Sequence, residues 1–99
     1  MNQQAMLKRA RQLQQEMIQT QKEIDETEFT ASVGPVTVVM KGSKELVRVV
    51  IEKDYSIDSD DEREMLEDSI VAANGKLIDE INKFTEEKMS KYKAFLGGF

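Results

Sequence analysis

Residues 29–53 constrain the fold most, because only there do apolar residues recur with a period of two, while the flanking sequence repeats every three or four residues. Val36, Val38 and Met40 alternate with Thr37, Val39 and Lys41, and Val47, Val49 and Ile51 alternate with Leu46, Arg48, Val50 and Glu52. Each set therefore falls on one face of a pleated strand. Gly42, Ser43, Lys44 and Glu45 interrupt the apolar run where a hairpin connection is needed. Val33, Gly34 and Pro35 mark an earlier turn, which adds Phe29, Ala31 and Val33 as a strand facing the same way as Val36, Val38 and Met40. The stretch predicts a three-stranded antiparallel meander. Val39, Leu46 and Val50 give its second face apolar character too, so both faces need a cover. A helix of the same chain can cover one. A second copy of the chain is the simplest cover for the other, which points to a homodimer.

Before the sheet, Met6, Ala10, Leu13, Met17, Thr20 and Ile24 form a seam at helical spacing, predicting a helix over about residues 3–26. Its stripe is thin and its exposed side is rich in Gln, so it should lean on another helix. After the sheet, Leu66, Ile70, Ala73, Leu77, Ile81 and Phe84 make a broader stripe, predicting a helix over about 60–93 that covers the sheet. Ser59 and Glu62 have the spacing of a capping box, and Asp60, Asp61 and Glu62 suit a helix N-terminus. The same acids do not fit a calcium loop, since Arg63 stands where the sharp turn needs Gly. Gly75, beside Ala72, Ala73 and Asn74, suggests close approach of another backbone, or simply a tolerated glycine. Beyond Phe84 the stripe shifts to Met89, Tyr92 and Leu96, with Gly97 and Gly98 ending the helix and Phe99 as a tail. The expected architecture is α+β in one domain, residues 1–99: a long helix, a sheet over about 28–53, and a second long helix.

The chain of 99 residues has neither Cys nor His, which removes disulfides, thiolate zinc sites and the Ser/His/Asp and Cys/His forms of nucleophilic catalysis. No enzyme, cofactor, metal or small-molecule substrate is expected. A carboxylate hydrolase drawing on Asp54, Asp58, Asp60 or Asp61 lacks anything that fixes a pocket around them. No apolar run approaches the roughly 18 residues of a membrane span, and the first residues lack a signal peptide's apolar core, so the expectation is a cytoplasmic protein without membrane contact.

Formal charge is −5 in sum, yet its distribution says more. Residues 1–22 carry Lys8, Arg9, Arg11 and Lys22 against Glu16, whereas residues 54–68 hold Asp54, Asp58, Asp60, Asp61, Glu62, Glu64, Glu67 and Asp68 against Arg63. The molecule is acidic at its waist and mildly basic toward its ends, an asymmetry that suits a polyanionic partner. Lys8, Arg9 and Arg11, with Gln12 and Gln15 beside them, form either a solvated helix face or a phosphate-binding patch. Lys83, Lys88, Lys91 and Lys93 either complement a helix C-terminus or bind DNA.

The order helix, three strands, long helix, taken with particular residues, resembles the YbaB/EbfC family of bacterial nucleoid-associated proteins. The matching stretches are residues 6–17, Met-Leu-Lys-Arg-Ala-Arg-Gln-Leu-Gln-Gln-Glu-Met, and residues 34–42. They continue with Val49, Val50, Ile51 and Glu52, with Glu64 to Asp68, with Ala72, Ala73 and Asn74, and with Glu86 to Met89. The resemblance implies a nucleoid protein that binds duplex DNA as a homodimer with projecting helical arms, organising the nucleoid and regulating genes. Carried over by position, its DNA contacts fall on Lys8, Arg9, Arg11 and Gln12, and on Lys88, Lys91 and Lys93. The chain departs from the family pattern in a first turn cut to Gly34 and Pro35, in Gly75 and Lys76 where an Asp-Ala pair is common, and in lacking a proline-containing tail. A prefoldin-like interaction module without DNA binding is the alternative, since it too places a β-hairpin between two long helices.

Overall fold

A computed structural model describes residues 2–95. The element order is α1 (Gln3–Glu26), β1 (Glu28–Val33), β2 (Val36–Lys41), β3 (Leu46–Ile51) and α2 (Asp60–Phe95), an α+β fold as the sequence predicts. Leu96, Gly97, Gly98 and Phe99, read from the sequence as the end of the stripe, the helix stop and a tail, lie outside the described residues. The three strands form one antiparallel sheet in the order β1-β2-β3. The molecule is elongated, about 72 × 22 × 13 Å along its principal axes.

Local chemistry sets each boundary. Asn2 caps α1, its Oδ1 accepting from the Ala5 N–H at 2.7 Å. Thr27 stops the helix by turning extended, with its N–H donating to the Glu23 and Ile24 carbonyls and its hydroxyl to the Glu23 carbonyl at 2.6 Å. Gly34, at φ +55, and Pro35 join β1 to β2 in a two-residue turn that needs the left-handed conformation at its first position. At the start of α2 the capping box is only half formed. Ser59 Oγ accepts from the Glu62 N–H at 3.1 Å, but the Glu62 carboxylate accepts from the Asp58 N–H at 2.8 Å instead of reaching back to Ser59. Tyr55 Oη donates to the Glu62 carbonyl at 2.7 Å and ties the preceding loop to the helix.

The register pairs Phe29 with Met40, Ala31 with Val38 and Val33 with Val36, so the three β1 residues share a face with the β2 set as their alternation requires. That face meets Leu66, Ala73, Leu77 and Ile81 of α2, which with Ala31, Val36, Val38 and Met40 form the buried core. Phe29 and Phe84 meet edge-to-face at a centroid distance of 5.1 Å and close the end of the core nearest α1. β2 pairs Val36 with Ile51 and Val38 with Val49, so those β3 residues point to the α2 side as well. The helix packs over β1 and β2 and leaves them uncovered. All six residues of β3 are exposed, including Leu46, Val47, Val49, Val50 and Ile51.

Gly75 lies in the α2 interior with nothing within 4 Å of the position a Cβ would take, so within this chain no backbone makes the close approach its neighbours suggest. The glycine of close approach is Gly42. A Cβ there would collide with the backbone carbonyl of Ile24. Its N–H donates to the Thr27 carbonyl at 2.9 Å, and the Ser43 N–H to the Asp25 carbonyl at 3.3 Å, clamping the end of α1 against the β2–β3 connection.

Candidate nucleic-acid interface

From that clamp α1 and α2 leave the sheet side by side. Ile24 is the only buried residue of α1; the rest of its seam, Ala10, Leu13, Met17 and Thr20, is half-buried, and Met6 is exposed. Thr20 Oγ1 and Tyr92 Oη lie 3.2 Å apart in hydrogen-bond contact, joining the two helices. Thr20 stands opposite Tyr92, so residues 3–19 run on for about 25 Å past this contact at helical rise. The described part of α2 ends at Phe95. Residues 3–9 are all exposed, and residues 3–15 contain Lys8, Arg9 and Arg11 with no acid. The first half of α1 is thus a basic arm, fully exposed over residues 3–9 and half-buried at Ala10 and Leu13.

Its side chains sort by angle. Lys8, Arg11, Gln12 and Gln15 share one side with Gln4 and Leu7 and line a shallow groove together. Arg9, one residue on from Lys8, points about 100° around the helix and away from this side. Toward α2 the strip continues into a second groove formed by Gln12, Gln15, Glu16, Gln19 and Thr20 with Lys91 and Tyr92. Lys91 Nζ stands 5.0 Å from the Tyr92 ring centroid, a cation–π geometry that holds the ammonium at the groove.

The structure therefore brings Lys8, Arg11, Gln12 and Lys91 onto one surface. Arg9 and Lys93 lie elsewhere, and Lys88 stands one turn before Lys91 on the same side of α2 without lining the groove. Lys88 Nζ sits over the Phe84 ring at 5.6 Å. Lys93 lines a groove on the opposite side of the helix pair, with Met17, Gln21 and Met89. Sequence reasoning passed over Glu16, Gln19, Thr20 and Tyr92 as parts of the site. Thr20 carried a signal, being the one hydroxyl in an otherwise apolar seam, where a polar group needs a partner.

Among the described residues, the charged groups of the strip make no ion pair. The one ion pair among the described residues is Lys41–Glu45, at 3.5 Å on the surface and away from the arm. No group of three or more Asp or Glu among them could hold a metal ion, and no described helix is long and apolar enough to cross a membrane.

A three-stranded meander between two long helices, the first with a basic N-terminal half, defines a class of elongated α+β proteins. Within that class the chain belongs to the YbaB/EbfC DNA-binding family, whose model matches residues 1–96. This is a family of DNA-binding proteins and not of enzymes. Similar relatives are named nucleoid-associated proteins. One from Clostridium novyi is 40% identical over 93 residues, covering 92% of this chain and 80% of its own. One from Lactobacillus delbrueckii subsp. bulgaricus is 37% identical over 94 residues, covering 93% and 84%. One from Agathobacter rectalis is 35% identical over 95 residues, covering 94% and 82%. The crystal structure of an uncharacterized protein from Helicobacter pylori shares the fold, with a TM-score of 0.67 at 19% identity over 98% of this chain and 99% of that one.

Proposed function

We propose that this protein binds duplex DNA as a homodimer in the bacterial nucleoid, organising DNA and influencing gene expression, through Lys8, Arg11, Gln12 and Lys91 with Arg9 supporting from the flank. The observation that carries the reading is the single strip on which those four residues lie, free of ion pairs to described residues. Lys and Arg neutralise phosphates, and Gln amides hydrogen-bond to phosphate or to base edges. An α-helix with its side chains is about 10–12 Å across, which matches a major groove about 12 Å wide. Family membership and the names of the relatives agree with DNA as the partner. Lys93 faces the opposite groove, and it and Lys88, which stands outside the strip's lining, contribute through the general field.

Dimerisation is supported by β3. It is a sheet edge with unpaired backbone groups and apolar side chains exposed on both faces, a surface that isolated proteins normally protect. Pairing with a second copy covers Val49 and Ile51 and gives two basic arms to one duplex. The prefoldin-like alternative gains nothing from the structure: it asks for two comparable arms, whereas α1 has 24 residues with one buried and α2 has 36.

With about six phosphate contacts per dimer, affinity should fall roughly a thousandfold between 50 and 200 mM salt. The test is fluorescence anisotropy on random duplex DNA across that range, for the wild type and for Lys8→Glu, Arg9→Glu, Arg11→Glu combined. The expected result is steeply salt-dependent binding that the triple variant loses while remaining dimeric. Undiminished binding by the triple variant would overturn the site.

A further inference from the structure

Two halves of the proposed interface come from different helices, and one side chain touches both. Tyr92 is 2% exposed, its hydroxyl meets Thr20 of α1 at 3.2 Å, and its ring carries the Lys91 ammonium at 5.0 Å. Tyr92 also lines both grooves that flank the helix pair, the polar one with Gln12, Gln15 and Lys91 and the opposite one with Met17 and Met89. Grooves on both sides mean that the contact between the helices is narrow there. The Tyr92–Thr20 pair is the only side-chain hydrogen bond between α1 and α2 among the described residues.

We propose that Tyr92 is the positioning residue of the DNA interface, its hydroxyl fixing the direction of the α1 arm while its ring presents Lys91, so that arm and lysine face DNA as one unit. This rests on the DNA-binding reading above. A narrow helix contact lets the arm swing by small rotations about the Gly42 clamp, and over about 25 Å of helix a small rotation becomes a large displacement of Lys8 and Arg11. The hydroxyl pin limits that swing. DNA affinity then depends on a group that touches no DNA, because a prealigned arm loses less freedom on binding.

The two parts of Tyr92 separate by substitution. Tyr92→Phe keeps the ring under Lys91 and loses the pin; Tyr92→Leu loses both; Thr20→Val removes the pin from the other helix. The cysteine-free chain accepts spin labels at Gln4→Cys and Glu80→Cys, and mixing with excess unlabelled protein leaves one labelled chain per dimer. Without DNA, the wild type should give one narrow distance distribution, broadened alike in Tyr92→Phe and Thr20→Val and no further in their combination. On random duplex DNA, Tyr92→Phe should bind about three- to tenfold more weakly with an unchanged salt slope. Tyr92→Leu should also reduce the slope by about one, as Lys91 leaves the interface. Narrow distances in Tyr92→Phe, or broadened distances with wild-type DNA affinity, would overturn the proposal while leaving the DNA-binding reading intact. Absence of DNA binding by the wild type itself would overturn both.

Discussion

Gly42 has no room for a side chain, because the Ile24 carbonyl occupies the space where a Cβ would be. Relief requires the end of α1 to move off the β2–β3 connection, breaking the hydrogen bond from the Gly42 N–H to the Thr27 carbonyl. Gly42→Ala should therefore destabilise the protein by about 2–3 kcal/mol, measured by urea unfolding. Gly75 is the opposite case. A Cβ there meets nothing within 4 Å, so Gly75→Ala should stabilise the helix by about 1 kcal/mol in the same measurement. A loss of stability instead would mean that a second copy packs closely on this face. The contrast was not legible in the sequence: Gly75 stands among small residues and looks like a site of contact, while Gly42 looks like an ordinary turn glycine. What distinguishes them is a tertiary encounter between residues 24 and 42, which no local pattern records.

At the scale of elements, periodicity carried most of the information. The alternation of β1 and β2 and the three-and-four spacing of α2 follow directly from which residues must face one another, and the register from Phe29–Met40 to Val33–Val36 repeats that logic. β3 shows where periodicity stops informing. Its alternation predicts two distinct faces, yet both are exposed in the single chain, since α2 packs chiefly over β1 and β2. An apolar strand that its own chain does not cover is the strongest sign of a partner. If β3 carries the proposed dimer contact, the wild type should sediment as a dimer and Val49→Lys combined with Ile51→Lys as a folded monomer, with unchanged helical circular dichroism. The candidate site was legible as a list of basic residues but not as a surface. Lys8, Arg9 and Arg11 are adjacent in sequence, and helix geometry sends Arg9 away from the other two. Lys91 and Lys93 are likewise close in sequence and lie on opposite sides of the helix pair. Joining Gln12 to Lys91 took the antiparallel course of α1 and α2, fixed by Thr20 and Tyr92.

The whole molecule separates its charge in space. The acids of residues 54–68 cluster at the loop and first turns of α2, while the arm of α1 carries only positive charge through residue 15. An overall charge of −5 per chain thus coexists with a local basic surface, and repulsion of DNA by the waist favours approach along the arms. One arm offers few phosphate contacts. In the proposed dimer two arms would multiply them, and the second arm would bind at high effective concentration once the first is engaged. The central claim is therefore that DNA binding belongs to the dimer. Its most direct test is the salt dependence of binding to random duplex DNA for the wild type and for the Val49→Lys, Ile51→Lys monomer. That variant adds positive charge, so a loss of affinity cannot come from weaker electrostatics. The expected result is binding by the monomer at least tenfold weaker, with a salt slope about half that of the wild type. A monomer that binds as tightly and with the same slope would contradict the account.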